Sequence, residues 1–448
     1  MIRYLSIGKA VFDGVAIATA GKNERKAWMK FNIKWKPINT LKLNIYWFVV
    51  FYINVDMLEA FVKNIFILIL KREPFSFLNI FLIAMGALVA VYLMFTKKID
   101  QRFFFLVFSY VLVYIFSILI TPDIITILST SIIRGILYVI VIVYLISLID
   151  DYGKLLPYFI PYIYISFAYA VTHIMLRGNP LIKETAYMDF TYNTMLPMLS
   201  ALAIGLYGKK ATKKINRYIS LTLFISLFIF NFLMGGRASI LCVGICVLML
   251  LHFQNNRRKI LYTALIIGLG VLIYINYHSL LAYLTLIFPN SRTIWRMSQN
   301  IFINTSTSYR SIMWKYIIES FIKEPFEVRG FLSDRVYLAT LFSSANAEGI
   351  YGYYAHNLFL EQIFQFGVFS IPFIIAGILS VIRKFNYISS KKNYCLTCFF
   401  SICMAFFVGQ LMVSASYLTA KSFGIVLGLM LYMGRPRKGA CYENIINL

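Results

Sequence analysis

Charge is scarce in this chain, and negative charge is scarcest: 14% of the 448 residues are Asp, Glu, Lys or Arg, and 18 are acidic. With 60% hydrophobic residues, a water-soluble globule would lack the polar surface to cover itself. Composition therefore excludes a soluble enzyme of ordinary size and implies an integral membrane protein. The acidic residues expected on the outer side are Glu73, Asp123, Glu184, Asp189, Glu319, Glu324, Glu327, Asp334 and Glu348. No two form a D-x-D pair to hold a divalent ion, which argues against a metal-dependent nucleotide-sugar transferase. A Gly-rich phosphate loop followed by Lys-Ser/Thr is also lacking, so direct use of ATP is not expected. Of the six cysteines none falls in an outer loop. Cys395 and Cys398 form a C-x-x-C without a second ligand pair, and they read as packing thiols rather than a zinc or redox site. Neither a metal nor a cofactor is expected. Internal repeats, low-complexity tracts and Pro- or Ser-rich linkers are missing as well. The polar start (Lys9, Lys22, Arg25, Lys26, Lys30, Lys34, Lys36) is not followed by a short apolar core with a small-residue cleavage site, so no cleaved signal peptide is expected.

What the chain does have is apolar runs near the length of about 20 residues that a spanning helix needs. They lie near 44–62, 76–95, 103–120, 124–147, 155–175, 192–207, 219–235, 238–253, 260–277, 357–380, 395–414 and 419–433. The first is interrupted by Asp56, Glu59 and Lys63 and reads as either a tilted or a broken span. The 43 Lys and Arg residues give a net charge of +25, and their placement explains the excess without nucleic acid. Lys97, Lys98 and Arg102, the 209–217 cluster, Arg257 to Lys259, and Arg383, Lys384, Lys391 and Lys392 all fall on one side of a twelve-span arrangement. Arg435, Arg437 and Lys438 join them. The expected fold is an all-α polytopic membrane protein of about 12 spans with both termini cytoplasmic. A basic segment (1–43) precedes nine spans (44–277), one large external loop (278–355) with amphipathic helices, three more spans (356–434) and a tail (435–448).

Several residues could carry chemistry. Gly235-Gly236-Arg237-Ala238-Ser239 is a hairpin too short to be a loop. Arg237 stands there beside the open N-H groups of the next helix, a setting suited either to an anionic phosphate or to anchoring lipid headgroups. In the large loop, 309–322 reads as an amphipathic helix with Thr307 and Ser308 as caps and Pro325 as the stop. Lys315, Glu319 and Lys323 line its wet side, whereas Arg310 shares the other side with Trp314, Ile317 and Phe321. That arginine needs a carboxylate or a ligand phosphate as partner. His356 and Asn357 come where the loop returns to the membrane, and His356 is either structural or a base for a sugar hydroxyl. Arg134, inside an apolar span, either lines a polar cavity or meets Asp56 or Glu59.

Gly-Gly-Arg237 opening a span, Ser308-Tyr309-Arg310 with Trp314, Pro325 and Gly330, and Tyr354-Ala355-His356-Asn357-Leu358 together resemble the O-antigen ligase and polymerase superfamily over roughly 185–380. Tyr192-Asn193 before the sixth span matches an Asn of that family, while Pro325 to Gly330 carries one glycine where the family pattern has Gly-x-Gly. The resemblance implies metal-independent transfer of a glycan from undecaprenyl diphosphate to an acceptor sugar hydroxyl. Arg237 and Arg310 would bind the diphosphate, His356 would activate the acceptor, and Asn357, Asn193 and Arg134 would contact substrate. Implied partners are the lipid-linked oligosaccharide, membrane lipid and a chain-length regulator protein, at the outer face of the bacterial plasma membrane. Family character favours a repeat-unit polymerase of the Wzy type for O-antigen or capsule. The alternatives are a ligase that passes polymer to the lipid A core and, in another class, a lipid-linked oligosaccharide flippase.

Overall fold

The computed structural model describes residues 44–72, 101–121, 123–127, 130–176, 186–207, 214–234, 237–253, 275–287, 309–342, 355–391, 393–411, 416–418 and 420–433, with isolated positions at 84, 88, 91, 264, 268 and 272. The basic N-terminal segment, the tail, the expected spans at 76–95 and 260–277 and much of the large loop lie largely or wholly outside the described residues. In chain order the helices are α1 (Ile45–Ile53), α2 (Val55–Leu70), α3 (Gln101–Ile120), α4 (Ile124–Ile127), α5 (Thr130–Ser147), a 3-10 stretch at Tyr152–Phe159, and α6 (Ile160–Met175). Then come α7 (Ala186–Tyr207), α8 (Lys214–Met234), α9 (Arg237–His252), α10 (Tyr277–Ile287), α11 (Tyr309–Lys323) and α12 (Ser333–Phe342). The chain continues with α13 (Leu358–Phe366), a 3-10 turn at Gly367–Phe369, α14 (Ser370–Lys391), α15 (Tyr394–Leu411) and α16 (Lys421–Tyr432).

Among the described residues the chain is helical, with no strand. Five helical segments there are long and apolar enough to cross a membrane: Gln101–Ile120, Tyr152–Met175, Lys214–Met234, Leu358–Lys391 and Tyr394–Leu411. Gly135–Ser147, Ala238–His252 and Lys421–Tyr432 are shorter apolar helices. That is a membrane protein's pattern, with five such segments seen where about twelve were expected. Their lipid-like faces point outward: Leu119 on α3 and Phe373 on α14 are 74% and 77% exposed, which water would not tolerate repeated along whole helices.

Two expected spans are broken. At Asn54 the first span divides into α1 and α2, because the Asn54 side chain donates back to the Val50 carbonyl at 2.7 Å and helical geometry lapses for a residue. At Gly367, with φ +56, the tenth divides into α13 and α14. The tertiary contacts sort the helix ends into two groups. At one end Tyr46 bonds Asp150, Asn44 donates to the Tyr158 hydroxyl at 2.9 Å, Arg217 donates to the Gly205 carbonyl at 3.2 Å, and Lys384 donates to the Met433 carbonyl. Phe385 packs there against His252 and Phe253. At the other end Thr194 accepts from Asn231 at 2.9 Å, His173 stacks on Phe190 at 4.9 Å, and the Ala238 carbonyl lies beside Gly409. Helices α11, α12 and α13 gather at this second end, called the loop end below.

Candidate functional site

The loop end is built on α3. Its last turn offers the Ser117 hydroxyl, which accepts from the Phe331 N-H at 2.8 Å, and just past it the Thr121 hydroxyl donates to the Arg329 carbonyl at 2.8 Å. Gly330 makes this docking possible. Its φ is +82, and a Cβ there would lie 2.6 Å from the Ser117 Cβ, so no other residue fits without moving α3. The N-H groups of Arg329 and Gly330 both donate to the Gln365 carbonyl at 2.9 Å, and the Val368 N-H donates to the Pro325 carbonyl at 2.8 Å. The 325–330 segment thus clips α3 to the α13–α14 break. Phe331 is then enclosed by Tyr110, Tyr114, Phe366 and Tyr417, with ring centroids 5.3 to 6.3 Å away.

Helix α11 appears where its spacing placed it. Lys315 and Glu319 pair at 3.8 Å on the exposed side, while Met313 and Ile317 are buried. Trp314, on the inner side, donates its Nε1-H to the Ala355 carbonyl at 2.6 Å and so joins Arg310's helix to His356's strand of chain. His356 is half-buried with φ +52, a left-handed conformation that costs a residue with a side chain roughly 1–2 kcal/mol. Asn357 caps α13: its carboxamide oxygen accepts from the N-H groups of Phe359 at 3.0 Å and Leu360 at 3.2 Å. Its oxygen is therefore occupied in the cap, which the expectation of a substrate contact did not include.

From the Ala355 N-H runs a buried polar chain. Asp334 accepts from the Ala355 N-H at 3.2 Å and from the Gln365 amide at 2.8 Å; the Gln365 oxygen accepts from the Tyr417 hydroxyl at 2.6 Å. Glu361 bonds the Ser416 hydroxyl and accepts from the Tyr417 N-H at 3.3 Å. Asp334, Glu361, Gln365 and Ser416 are all buried, and so is Arg335, whose charge acts on both carboxyls. Burial raises the Asp334 carboxyl above its ordinary range, against the pull of Arg335 and of its two donors. Leaving any one of these buried groups unsatisfied would cost about 1–3 kcal/mol. Sequence reasoning missed this set. Glu361 carried a usable signal, since it stands alone in an apolar span as Arg134 does, but Asp334 was read only as one of many outer acids.

The other expected residues fall as follows. Arg237 opens α9 and Arg310 lies in the first turn of α11; their side chains, and that of Arg134 within α5, lie outside the described set. The Ala238 carbonyl is 3.6 Å from where a Gly409 Cβ would be, on the last turns of the helix that leads to Ser416, so Arg237's helix start and the carboxyl network share the loop end. Asn193 is half-buried on α7 at the same end, bonded to Tyr169. Asp56, weighed as a partner for Arg134, is paired at 3.3 Å with Lys421, a buried lysine that opens α16. The Cys242 and Cys246 thiols and those of Cys398 and Cys403 are buried in the apolar core, as packing thiols would be.

No family model, no curated protein and no solved structure matches the chain, so its likeness to a family rests on the motifs alone.

Proposed function

We propose that the chain is a polysaccharide repeat-unit polymerase, a metal-independent glycosyltransferase working on undecaprenyl-diphosphate-linked oligosaccharides at the outer face of the plasma membrane. The observation that carries this reading is the placement of His356. It is half-buried and held at the loop end, where α9 begins with Arg237 and the first turn of α11 carries Arg310. In the proposed reaction the anomeric C–O bond to the donor diphosphate breaks as a bond to the acceptor hydroxyl oxygen forms. The hydroxyl proton passes to His356, and the lipid diphosphate leaves with the bonding electron pair. Charge grows on the diphosphate in the transition state, so an arginine there favours the transition state over the ground state. Arg237 has a second advantage, because the N-H groups opening α9 face the same anion. Asn193 and Arg134 would contact the glycan or its lipid, and a chain-length regulator would dock from outside the bundle. The basic ends of the helices are assigned to the cytoplasm.

Both substrates are tethered to lipid, so holding them at one site supplies much of the rate. The test is a gel of surface polysaccharide from the host with this gene deleted, beside the parent and a complemented strain. Loss of long chains, with single repeat units still on their normal acceptor, supports the polymerase. Lipid-linked polymer that never reaches its acceptor would identify a ligase. Repeat units trapped on the cytoplasmic leaflet would identify a flippase.

A further inference from the structure

His356 holds a backbone conformation that its side chain disfavours, so something must impose it. Trp314 fixes the peptide that joins Ala355 to His356, by donating Nε1-H to its carbonyl at 2.6 Å. Asp334 fixes the peptide before it, accepting the Ala355 N-H at 3.2 Å. Ala355 and Asp334 are fully buried, and the second Asp334 oxygen is itself held by Gln365 at 2.8 Å, which is held in turn by Tyr417 at 2.6 Å. On the far side of His356 the Asn357 cap locks the chain into α13. The direct grips come from the loop helix α11 and the start of α12, and they are backed by Gln365 of α13 and Tyr417 of the turn before α16.

We infer that Asp334 and Trp314 are positioning residues that clamp the Ala355 backbone and thereby set where the His356 imidazole meets the acceptor hydroxyl. This rests on His356 acting as the base in the reaction proposed above. A base displaced by about 1 Å can lose on the order of 100-fold in rate, so a clamp that stores strain at this one residue has a catalytic use. Asp334 touches no reacting atom in this account, and neither does Trp314.

The experiment uses the full-length protein in lipid nanodiscs with lipid-linked oligosaccharide extracted from the deletion strain, and separates kcat from the donor KM. Trp314→Phe keeps the ring and removes one donor; kcat should fall about tenfold with KM within about twofold. Asp334→Ala should behave alike. Asp334→Asn should stay within about threefold of the parent, because its oxygen can take the Ala355 N-H while its amide donates to a turned Gln365. A merely structural role is tested in a His356→Gly background assayed with added imidazole. A diffusing base takes the proton without the clamp, so adding Trp314→Phe there should change turnover less than about twofold. A rise in KM with kcat intact, or a tenfold loss that persists in the imidazole-dependent background, overturns the clamp. A parent enzyme that makes no glycosidic bond overturns the polymerase reading instead.

Discussion

His356 combines a left-handed φ of +52 with a side chain that the proposed reaction needs, and this pairing separates its two roles experimentally. Glycine prefers that conformation, so His356→Gly should leave the thermal midpoint unchanged or raised, by up to about 1 kcal/mol of stability, while ladder formation is lost. Differential scanning of the purified variant beside a polysaccharide gel reads both. Asp334 gives a pH signature. Burial raises its carboxyl above the ordinary value of 3.8, so the folded protein holds that proton more tightly than the unfolded chain. The stability it contributes is full below pH about 3.8 and is lost as pH rises through the raised value. Asp334→Asn cannot lose the proton, so its thermal midpoint relative to the parent should improve from about pH 4 upward, the variant also removing the Asp334 charge that acts on Arg335, Glu361 and Tyr417. Coincident curves would mean that Asp334 is not perturbed by folding.

The elements differ in how far the sequence revealed them. Helix α11 was legible almost to the residue, expected at 309–322 and found at Tyr309–Lys323, since an amphipathic helix declares both its faces and Pro325 its end. A break in the first span was one of the two readings that Asp56, Glu59 and Lys63 left open, whereas the break at Gly367 was hidden, because apolar residues continue on both sides of it and its mark is a single φ. The carboxyl network was hidden for another reason: Asp334, Glu361, Gln365 and Tyr417 meet only once α12, α13 and the 416–418 turn have packed, and no local spacing records that. Gly330 was noticed as part of a pattern, and the structure supplies its physical need, contact with α3. Gly330→Ala should therefore undock the 325–330 clip, lowering stability by roughly 1–3 kcal/mol and polymer yield severely. Lys315→Ala, on the exposed side of α11, should be within about 0.5 kcal/mol and leave the ladder intact. If Lys315→Ala cost more than Arg310→Ala, the facing of α11 would be wrong.

For the whole molecule, the helix ends fall into a basic group and a loop group, and the proposed orientation puts a membrane between them. Glu319→Cys on α11 and Lys391→Cys at the end of α14 should react with an impermeant thiol reagent from opposite sides, the first in intact cells and the second only in inverted vesicles. Both positions are exposed. Apolar runs were enough to read a helical membrane protein in outline. The pairing of buried Lys421 with part-exposed Asp56 was not legible, since each belongs to a different span and their approach depends on packing. In the proposed reaction the loop end joins one lipid-linked glycan to another. That reaction is tested most directly by incubating the purified protein in nanodiscs with lipid-linked oligosaccharide from the deletion strain in the presence of a metal chelator. The expected result is a ladder of longer lipid-linked chains with one lipid diphosphate released per bond formed, and no ladder from His356→Gly. Movement of intact oligosaccharide across a bilayer without bond formation, or a ladder undiminished in His356→Gly, would contradict it.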